Sequence, residues 1–319
     1  MQHVKKVPFT GMSLNRASDL RKSSQWFNLQ VAAENTLFLM INQGKYLFNN
    51  QKLIMFTLKQ LSALDENNTV DFVLLGLSND QAIIIADFSA ITSEHLIEKL
   101  TLNGHENVEF SDFRHCVNWL GSDIAANLSY GRSLTHWHNA YRFCGYCGHA
   151  TESAESGHMR KCTNTLCSKV HYPRTDPVVI MIVEYQPEVG PAQCLLASHT
   201  RSPKNLVSTL AGFVDPGESL EEAVIREVKE EVGLTVTSVE YVASQPWPFP
   251  SSLMLGFHAK VSHQHFKLDQ NEISGAHWYT AEQVSQLEDW GSGGESVQIP
   301  NHQSISRYLI EHWLTEQRN

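Results

Sequence analysis

The sequence predicts an α/β protein with more than one domain. Its 319 residues leave room for two or three domains that each bury a core. Strand and helix patterns alternate after residue 174, while cysteine, glycine and histidine concentrate in the stretch before it. We therefore predict an N-terminal α+β domain (1–128), a linker helix with a cysteine-rich segment (129–173), and an α/β domain (174–319).

Composition narrows the class of protein. The formal net charge is −10, so the chain does not attract nucleic acid without a local basic patch, and it repels a phosphate-rich substrate unless cations intervene. The longest apolar run, residues 177–183, is far shorter than the roughly 20 residues of a membrane span. Residues 1–16 lack the apolar region of a signal peptide. We expect a cytoplasmic protein with reduced cysteines.

The N-terminal zone shows strand and helix patterns without a catalytic constellation. Residues 72–78 and 81–88 predict two strands joined by a turn at Asn79 and Asp80. Helices are predicted at residues 93–100, capped by Ser93, and at residues 111–137, capped by Ser111 and interrupted at Gly121 and Gly131. We interpret this zone as a structural or dimerisation domain.

Four cysteines stand at metal-ligand spacing. The first pair is C-x2-C and the second is C-x4-C, with fourteen residues between them: Cys144, Cys147, Cys162 and Cys167. Four thiolates suit tetrahedral zinc, which a reducing compartment favours over two disulfides. Because four cysteines leave no open coordination position, the zinc should be structural. The interval between the pairs has few basic residues, which disfavours nucleic-acid binding by this segment. Cys116 and Cys194 lie in apolar contexts and should be buried thiols.

An acidic helix follows in the third zone. A proline–glycine turn precedes it, Glu218 or Ser219 can begin it, and Gly233 ends it. At about 100° per residue, Glu227, Glu230 and Glu231 fall on one arc beside an apolar stripe. Carboxylates crowded at the edge of a core indicate divalent cations, Mg²⁺ or Mn²⁺. The alternative from spacing alone is a solvated acidic face.

This stretch resembles the Nudix box, G-x5-E-x7-R-E-U-x-E-E-x-G-U, where U is a bulky aliphatic residue. All nine specified positions match: Gly212, Glu218, Arg226, Glu227, Val228, Glu230, Glu231, Gly233 and Leu234. The resemblance implies an α/β/α sandwich around a mixed sheet, and hydrolysis of nucleoside diphosphates linked to another group.

The resemblance also implies roles for individual residues. Glu227, Glu230 and Glu231 would hold the cations, with the Ala211 carbonyl and Glu272 as further ligands. The remaining catalytic positions of the box are Arg226, which would orient carboxylates, and Glu218, which would support the metal-binding helix.

The segment SQPWPFPSS (244–252) narrows the family further. Its three alternating prolines make it stiff and extended, and exclude it from a central strand position. It resembles the signature of NADH pyrophosphatases, as do the cysteine-rich segment, residues 134–148, residues 171–180 and residues 305–313. Relatives of this kind cleave NAD(H) to nicotinamide mononucleotide and AMP, and some remove NAD caps from RNA.

By that resemblance a set of residues should line the substrate site: Tyr172, Phe213, Gln245, Pro246, Trp247, Pro248, Phe249, Pro250, Ser251, Ser252 and Ser306. Tyr172 and Phe213 are the candidates for stacking on the nicotinamide ring. Ser306 departs from the small residue common at its position, so its hydroxyl could adjust substrate preference. The resemblance also implies a homodimer. The alternatives are a Nudix hydrolase of ADP-ribose or dinucleoside polyphosphates, and a non-enzymatic zinc-ribbon regulator that binds a nucleotide or RNA.

Overall fold

The computed structural model describes residues 7–65, 69–203, 205–294 and 296–318. Residues 1–6 lie outside the described residues. They belong to the stretch 1–16, which was considered above for a signal peptide. The chain forms two compact units. The N-terminal unit holds residues 11–174 and 248–251, and the C-terminal unit holds residues 7–10, 175–247 and 252–318. The cysteine-rich segment thus shares a unit with the residues that precede it, and the predicted boundary after residue 128 stays a prediction.

A seven-stranded sheet forms the core of the N-terminal unit. Its strands are β1 (Leu37–Asn42), β2 (Lys45–Asn49), β3 (Lys52–Leu53), β4 (Met55–Phe56), β5 (Asp71–Ser78), β6 (Gln81–Asp87) and β7 (Val108–Asp112). The order is β3-β2-β1-β6-β5, with β4 on β1 and β7 on β2. The predicted hairpin is confirmed: β5 pairs with β6, and Asn79 and Asp80 take positive φ values of 47° and 66°, as a tight hairpin turn requires.

Five α-helices accompany this sheet: α1 (Ser24–Ala32), α2 (Leu58–Ser62), α3 (Ser93–Leu102), α4 (Phe113–Cys116) and α5 (Ser122–Ala140). The predicted caps at Ser93 and Ser111 are wrong. The hydroxyl of Thr92 caps α3 by accepting from the His95 N–H, and Ser93 donates to Asn42 Oδ1 at 2.7 Å. Asp112 caps α4.

Gly121 marks the start of α5 as predicted, but Gly131 does not interrupt the helix. A Cβ at Gly131 would lie 2.4 Å from Ile85 Cδ1 and 2.8 Å from the Tyr46 hydroxyl. The glycine therefore lets α5 approach the sheet closely, and tertiary packing outweighs its low helix propensity.

The cysteine-rich segment forms a small antiparallel sheet in the order β10-β9-β8. The strands are β8 (Thr151–Ala154), β9 (Met159–Cys162) and β10 (Val170–His171). Among the described residues of this unit, two 3₁₀ turns, Leu20–Lys22 and Glu155–Gly157, complete the regular structure.

A six-stranded mixed sheet forms the centre of the C-terminal unit. Its strands are β11 (Asp176–Tyr185), β12 (Gln193–His199), β13 (Leu210–Phe213), β14 (Val236–Trp247), β15 (Ser252–Val261) and β16 (Ile273–Thr280). The order is β14-β15-β11-β12-β16, with β13 on β11 and a parallel pairing only between β11 and β15. The proline-rich segment enters the edge strand β14, so its predicted exclusion from a central strand is confirmed.

Helices α6 (Leu220–Val232) and α8 (Ile305–Glu316) cover opposite faces of this sheet. The period-2 alternation of β11 sends Val179 and Met181 into the core with α6, and Ile180 and Ile182 into the core with α8. The predicted α/β/α sandwich is confirmed. Short elements complete the unit: α7 (Ala281–Val284), β17 (Glu288–Asp289) and β18 (Gln298–Ile299). Within the described chain, no helix is both long and apolar enough to span a membrane.

Two buried histidines connect elements of the N-terminal unit. His138 Nδ1 accepts a hydrogen bond from Arg160 Nη1 at 2.9 Å, and its Nε2 donates to the Gly157 carbonyl at 2.6 Å. His158 Nε2 donates to the Leu74 carbonyl at 2.8 Å, while Arg21 Nη1 lies 3.1 Å from its Nδ1. Both rings are therefore neutral Nε2–H tautomers. Burial lowers the pKa of each to about 4.

We predict that acid destabilises the N-terminal unit through these histidines. Their pKa is about 4 in the folded chain and 6.5 when unperturbed, so the unfolded state binds more protons between those values. The free energy of unfolding should therefore keep the full contribution of the neutral histidines above pH 6.5, and lose it as the pH falls from 6.5 towards 4. His138→Gln should weaken this pH dependence, measured by urea unfolding from pH 4.5 to 8 with saturating zinc. His136→Gln, an exposed position on the same helix, is the control. Equal pH dependence in both variants would contradict the assignment.

Candidate active site and metal centres

Helix α6 is defined by its caps and its apolar face. Ser219 is the N-cap: its hydroxyl accepts from the Glu222 N–H, and the Glu222 carboxylate accepts from the Ser219 N–H at 2.7 Å. Gly233 ends the helix in the left-handed region, with φ of 69°. Val224 and Val228 are fully buried against the sheet. Packing and caps thus set the rotation of the helix and the direction of its acidic residues.

Arg226 gathers three carboxylates and a carbonyl at the start of the site. It binds Glu218 with two hydrogen bonds, from Nε at 3.1 Å and from Nη2 at 2.6 Å. Its Nη1 donates to Glu227 at 2.7 Å and to Glu230 at 3.0 Å, and its Nη2 donates to the Phe213 carbonyl at 2.9 Å. Hydrogen bonds from Arg226 and from the Asp215 N–H hold the pKa of Glu218 below its ordinary value. The guanidinium group is saturated by protein groups.

Glu231 is the most buried carboxylate of the helix. It is 2% exposed, and its Oε2 has no hydrogen-bond partner among the described residues. Burial, reinforced by the charges of Glu227, Glu272 and Glu230, raises its pKa to about 8. A buried, unpartnered carboxylate is costly. A bound cation would supply the missing partner.

Glu227 lies directly over the backbone of Gly212 in β13. A Cβ at Gly212 would fall 1.9 Å from Glu227 Cδ and 2.0 Å from its Oε1. Only glycine therefore leaves room for this carboxylate, which is 8% exposed. Its burial raises its pKa, and Arg226 opposes that shift.

The remaining predicted cation ligands lie on neighbouring elements. Ala211 pairs with Ile180 in the sheet, immediately before Gly212. Glu272 is exposed, and its charge reaches Glu227 and Glu231 closely enough to raise both pKa values. Among the described residues, these carboxylates do not converge within 4.8 Å of one another as a metal-sized cluster. Arg226 holds Glu227 and Glu230, and like charges repel. The hard oxygen donors and the orphaned Glu231 oxygen nevertheless fit a divalent cation.

The four predicted zinc ligands do converge. The sulfur atoms of Cys144, Cys147, Cys162 and Cys167 all lie within 4.8 Å of one another. Cys144 and Cys167 are 3.9 Å apart, and Cys147 and Cys162 are 3.4 Å apart. Tetrahedral zinc with bonds of about 2.3 Å places its sulfur ligands about 3.8 Å apart, so the cluster fits zinc.

Backbone hydrogen bonds shape both cysteine turns. The Cys144 N–H donates to the His149 carbonyl, and the Cys162 N–H donates to the Lys169 carbonyl. His171 Nε2 lies 3.4 Å from the Cys144 sulfur, a contact that the cysteine spacing alone did not indicate.

Two predicted substrate-lining residues are buried and occupied. Gln245 is fully buried: its amide nitrogen donates to the carbonyls of Gln303 and Pro8, and its oxygen accepts from the Ile305 N–H. Ser306 is 3% exposed, and its hydroxyl lies 2.8 Å from the Thr209 hydroxyl. In this structure both residues hold helix α8 to neighbouring segments and do not face a surface.

The aromatic residues of the proline-rich segment pack against other rings. Trp247 lies against Phe9, with ring centroids 6.0 Å apart. Phe249 stacks on Phe113 at 6.0 Å and carries the Arg114 guanidinium 4.3 Å from its ring centre. Spacing along the chain did not identify Phe9 or Phe113 as the partner rings, because the partner of an aromatic ring is decided by tertiary contacts. Both side chains remain half-buried, and their role in lining the substrate site stays a prediction.

The other predicted lining residues differ in exposure. Pro248 is buried, and its carbonyl accepts from Arg132 Nε at 3.0 Å. Phe213 in the C-terminal unit is 62% exposed, and Tyr172 in the N-terminal unit is 57% exposed. Pro250 is exposed, and three residues are half-buried: Pro246, Ser251 and Ser252.

We predict that Gly212→Ala weakens binding of a divalent cation. The new methyl group must displace the Glu227 carboxylate, and misplacing a group that supports a metal typically costs roughly 10- to 100-fold in affinity. Titration with Mn²⁺ measures this. Gly275→Ala is the control, because nothing lies within 4 Å of a Cβ at that position of the same sheet. Unchanged Mn²⁺ affinity in Gly212→Ala would refute the close approach.

We also predict that divalent cations stabilise the protein through Glu231. Mn²⁺ should raise the melting temperature of the wild-type chain and have little effect on Glu231→Gln. Without cation, Glu231→Gln should be the more stable protein above pH 8 by roughly 1–3 kcal/mol, because it removes a buried unpartnered charge. Thermal unfolding with and without Mn²⁺ tests both points. Equal stabilisation of the two proteins by Mn²⁺ would argue against Glu231 as a ligand.

Comparison with known proteins agrees with this geometry. The NUDIX domain model matches residues 175–298, and the NADH pyrophosphatase zinc ribbon domain model matches residues 139–172. The chain is 42% identical over 196 residues to the NAD-capped RNA hydrolase NUDT12 of Homo sapiens, covering 60% of this chain and 42% of that protein. The chain thus spans less than half the length of this relative.

Two further relatives are covered over more of their length. The NAD(P)H pyrophosphatase NUDT13, mitochondrial, of Mus musculus is 34% identical over 264 residues, covering 78% of this chain and 73% of that protein. The NAD-capped RNA hydrolase NudC of Mycobacterium bovis is 40% identical over 191 residues, covering 58% of this chain and 59% of that protein. With its zinc ribbon and complete acidic helix, the chain belongs to the NADH pyrophosphatase family of Nudix hydrolases.

Proposed function

We propose that this protein hydrolyses the pyrophosphate bond of NAD(H), giving nicotinamide mononucleotide and AMP. The observation that carries the proposal is the buried, unpartnered Glu231 carboxylate beside Glu227 and Glu230, an arrangement that calls for a cation. Relatives named NAD(P)H pyrophosphatase and NAD-capped RNA hydrolase support the substrate. Their names also support NAD-capped RNA as a second substrate.

The proposed mechanism assigns the acidic residues to the cation and Arg226 to the acidic residues. Glu227, Glu230 and Glu231, with Glu272 and the Ala211 carbonyl, would hold the divalent cation, Mg²⁺ or Mn²⁺. When bound, such a cation would neutralise charge on the pyrophosphate and lower the pKa of a water molecule. Arg226 is a positioning residue, because Glu218 holds its guanidinium in place against Glu227 and Glu230. One water molecule adds across one P–O bond, and the oxygen of the departing nucleotide leaves with the bonding electrons.

Substrate recognition would fall to exposed aromatic residues. We propose Phe213 of the C-terminal unit and Tyr172 of the N-terminal unit as separate candidates for stacking on the nicotinamide ring, since each side chain is more than half exposed. Gln245 and Ser306 would act indirectly, by fixing helix α8. The zinc would be structural, and we further propose a cytoplasmic homodimer.

We predict that Glu231→Gln severely reduces turnover. Loss of one anionic ligand from the site should lower kcat for NADH by roughly 100- to 1,000-fold while the fold is retained. Release of AMP, measured by chromatography with Mg²⁺ and with Mn²⁺, is the readout. Glu221→Gln, an exposed position in the first turn of the same helix, is the matched control and should retain activity. Unimpaired hydrolysis by Glu231→Gln would refute the assignment.

Comparison of substrates separates the alternatives. NADH, NAD⁺, NAD-capped RNA, ADP-ribose and a dinucleoside polyphosphate would be assayed side by side at matched concentrations. A higher kcat/KM for ADP-ribose than for NADH would favour a Nudix hydrolase of different specificity. Failure of metal-dependent release of AMP from every substrate would favour a non-enzymatic regulator.

A further inference from the structure

A row of aromatic and basic side chains crosses the zinc ribbon. Arg174 Nη1 lies 3.5 Å from the Tyr141 hydroxyl, and the Tyr141 ring lies 6.0 Å from the ring of His171. The His171 ring lies 6.2 Å from that of Tyr146, and Lys169 Nζ lies 5.0 Å from the centre of the Tyr146 ring. We call these five residues the basic–aromatic row. Three rings thus stand in sequence with a cation at each end.

The row is accessible at the positions that matter for binding. Tyr146 is 73% exposed, and Lys169 and Arg174 are exposed as well. Tyr141 and His171 are half-buried and lie between the exposed members of the row. Tyr146 lies between two cysteines of the zinc cluster, and His171 contacts Cys144, so the metal site holds the rings in place. A rigid platform loses little conformational entropy on binding.

The charge of this region is opposite to that of the whole chain. Residues 139–174 contain five lysines and arginines but only two glutamates, whereas the chain carries a net charge of −10. The interval between the cysteine pairs, residues 148–161, has few basic residues, which disfavours nucleic-acid binding by that interval. Every member of the basic–aromatic row lies outside it. Arg160 is buried and Arg142 pairs with Asp71 at 3.6 Å, so the exposed cations of this segment that can meet phosphates are Lys161, Lys169 and Arg174.

We propose that the basic–aromatic row binds single-stranded RNA. Stacking of successive bases on aromatic rings, with cations along the backbone, is how proteins bind single strands without sequence preference. A polynucleotide offers a base face to the exposed Tyr146 ring and phosphates to Lys169 and Arg174. An apolar protein surface would leave Lys169 desolvated and unpaired, and is disfavoured. That this RNA is the chain that follows an NAD cap rests on the proposed function.

The test measures binding of a fluorescein-labelled, single-stranded ten-nucleotide RNA with a 5′-hydroxyl end to the full chain. This probe has no pyrophosphate bond, so its binding is independent of turnover. Tyr146→Ala should weaken binding roughly 5- to 50-fold, whereas Tyr146→Phe, which keeps the ring, should bind like the wild type. Zinc content is measured in each variant.

Salt dependence provides the second measurement. Lys169→Gln should reduce the slope of log affinity against log salt by about 0.7, the value for one phosphate contact on a single strand. Lys161→Gln is the matched control, because Lys161 is an exposed lysine of the same ribbon outside the row. If Tyr146→Ala loses zinc, the comparison of Lys169→Gln with Lys161→Gln decides.

Three results would overturn the proposal. The first is equal salt slopes for Lys169→Gln and Lys161→Gln. The second is unchanged RNA affinity in zinc-loaded Tyr146→Ala. The third is a change in the oligomeric state of Tyr146→Ala, measured as molecular mass in solution, without any change in RNA affinity. That result would indicate that the row is a contact between protein chains. Hydrolysis of NADH, assayed separately, shows whether the proposed function stands independently of this result.

Discussion

Burial of negative charge at the edge of a packed core is the constraint on which the acidic site depends. Glu231 and Glu227 are 2% and 8% exposed, although each is a carboxylate. Their environment raises both pKa values, and Glu231 Oε2 lacks a partner among the described residues. Such an arrangement destabilises the cation-free protein. A bound cation would recover the free energy that is lost by burying the Glu231 carboxylate. Folding stability and catalytic function are then coupled at this one side chain.

The surrounding structure keeps this arrangement in place. The buried valines of α6 and its two caps prevent the helix from rotating its carboxylates into solvent. The absence of a side chain at Gly212 leaves room for Glu227, and Arg226 anchors Glu218 while it spaces the acidic residues. Arg226 and a cation would act on the same carboxylates, so cation binding should redistribute the ion pairs of Glu227 and Glu230.

The N-terminal unit relies on a different balance. Its zinc ribbon contributes two strands to a network in which buried Arg160 donates to Thr151 and His138, and in which His158 reaches the β5 strand. Neutral histidines satisfy these bonds without bringing another charge into the interior. The same ribbon presents its aromatic and basic residues outward. One small element therefore combines a structural metal, a buried polar network and a candidate binding surface.

The sequence by itself determined the features that depend on spacing along the chain. The cysteine cluster, the acidic helix with its C-terminal glycine, the β5–β6 hairpin and the edge position of the proline-rich segment follow from local periodicity and backbone restrictions, and the structure agrees with each. Tertiary structure alone decided which side chains meet. Gly131 lies inside helix α5, where a Cβ would fall only 2.4 Å from a side chain of the sheet. Thr92, and not Ser93, caps α3. The Gln245 amide forms hydrogen bonds with backbone groups that are remote in sequence. Trp247 and Phe249 contact protein rings that are remote in sequence. These outcomes depend on packing between segments up to hundreds of residues apart, and such packing leaves no periodic signal in the chain.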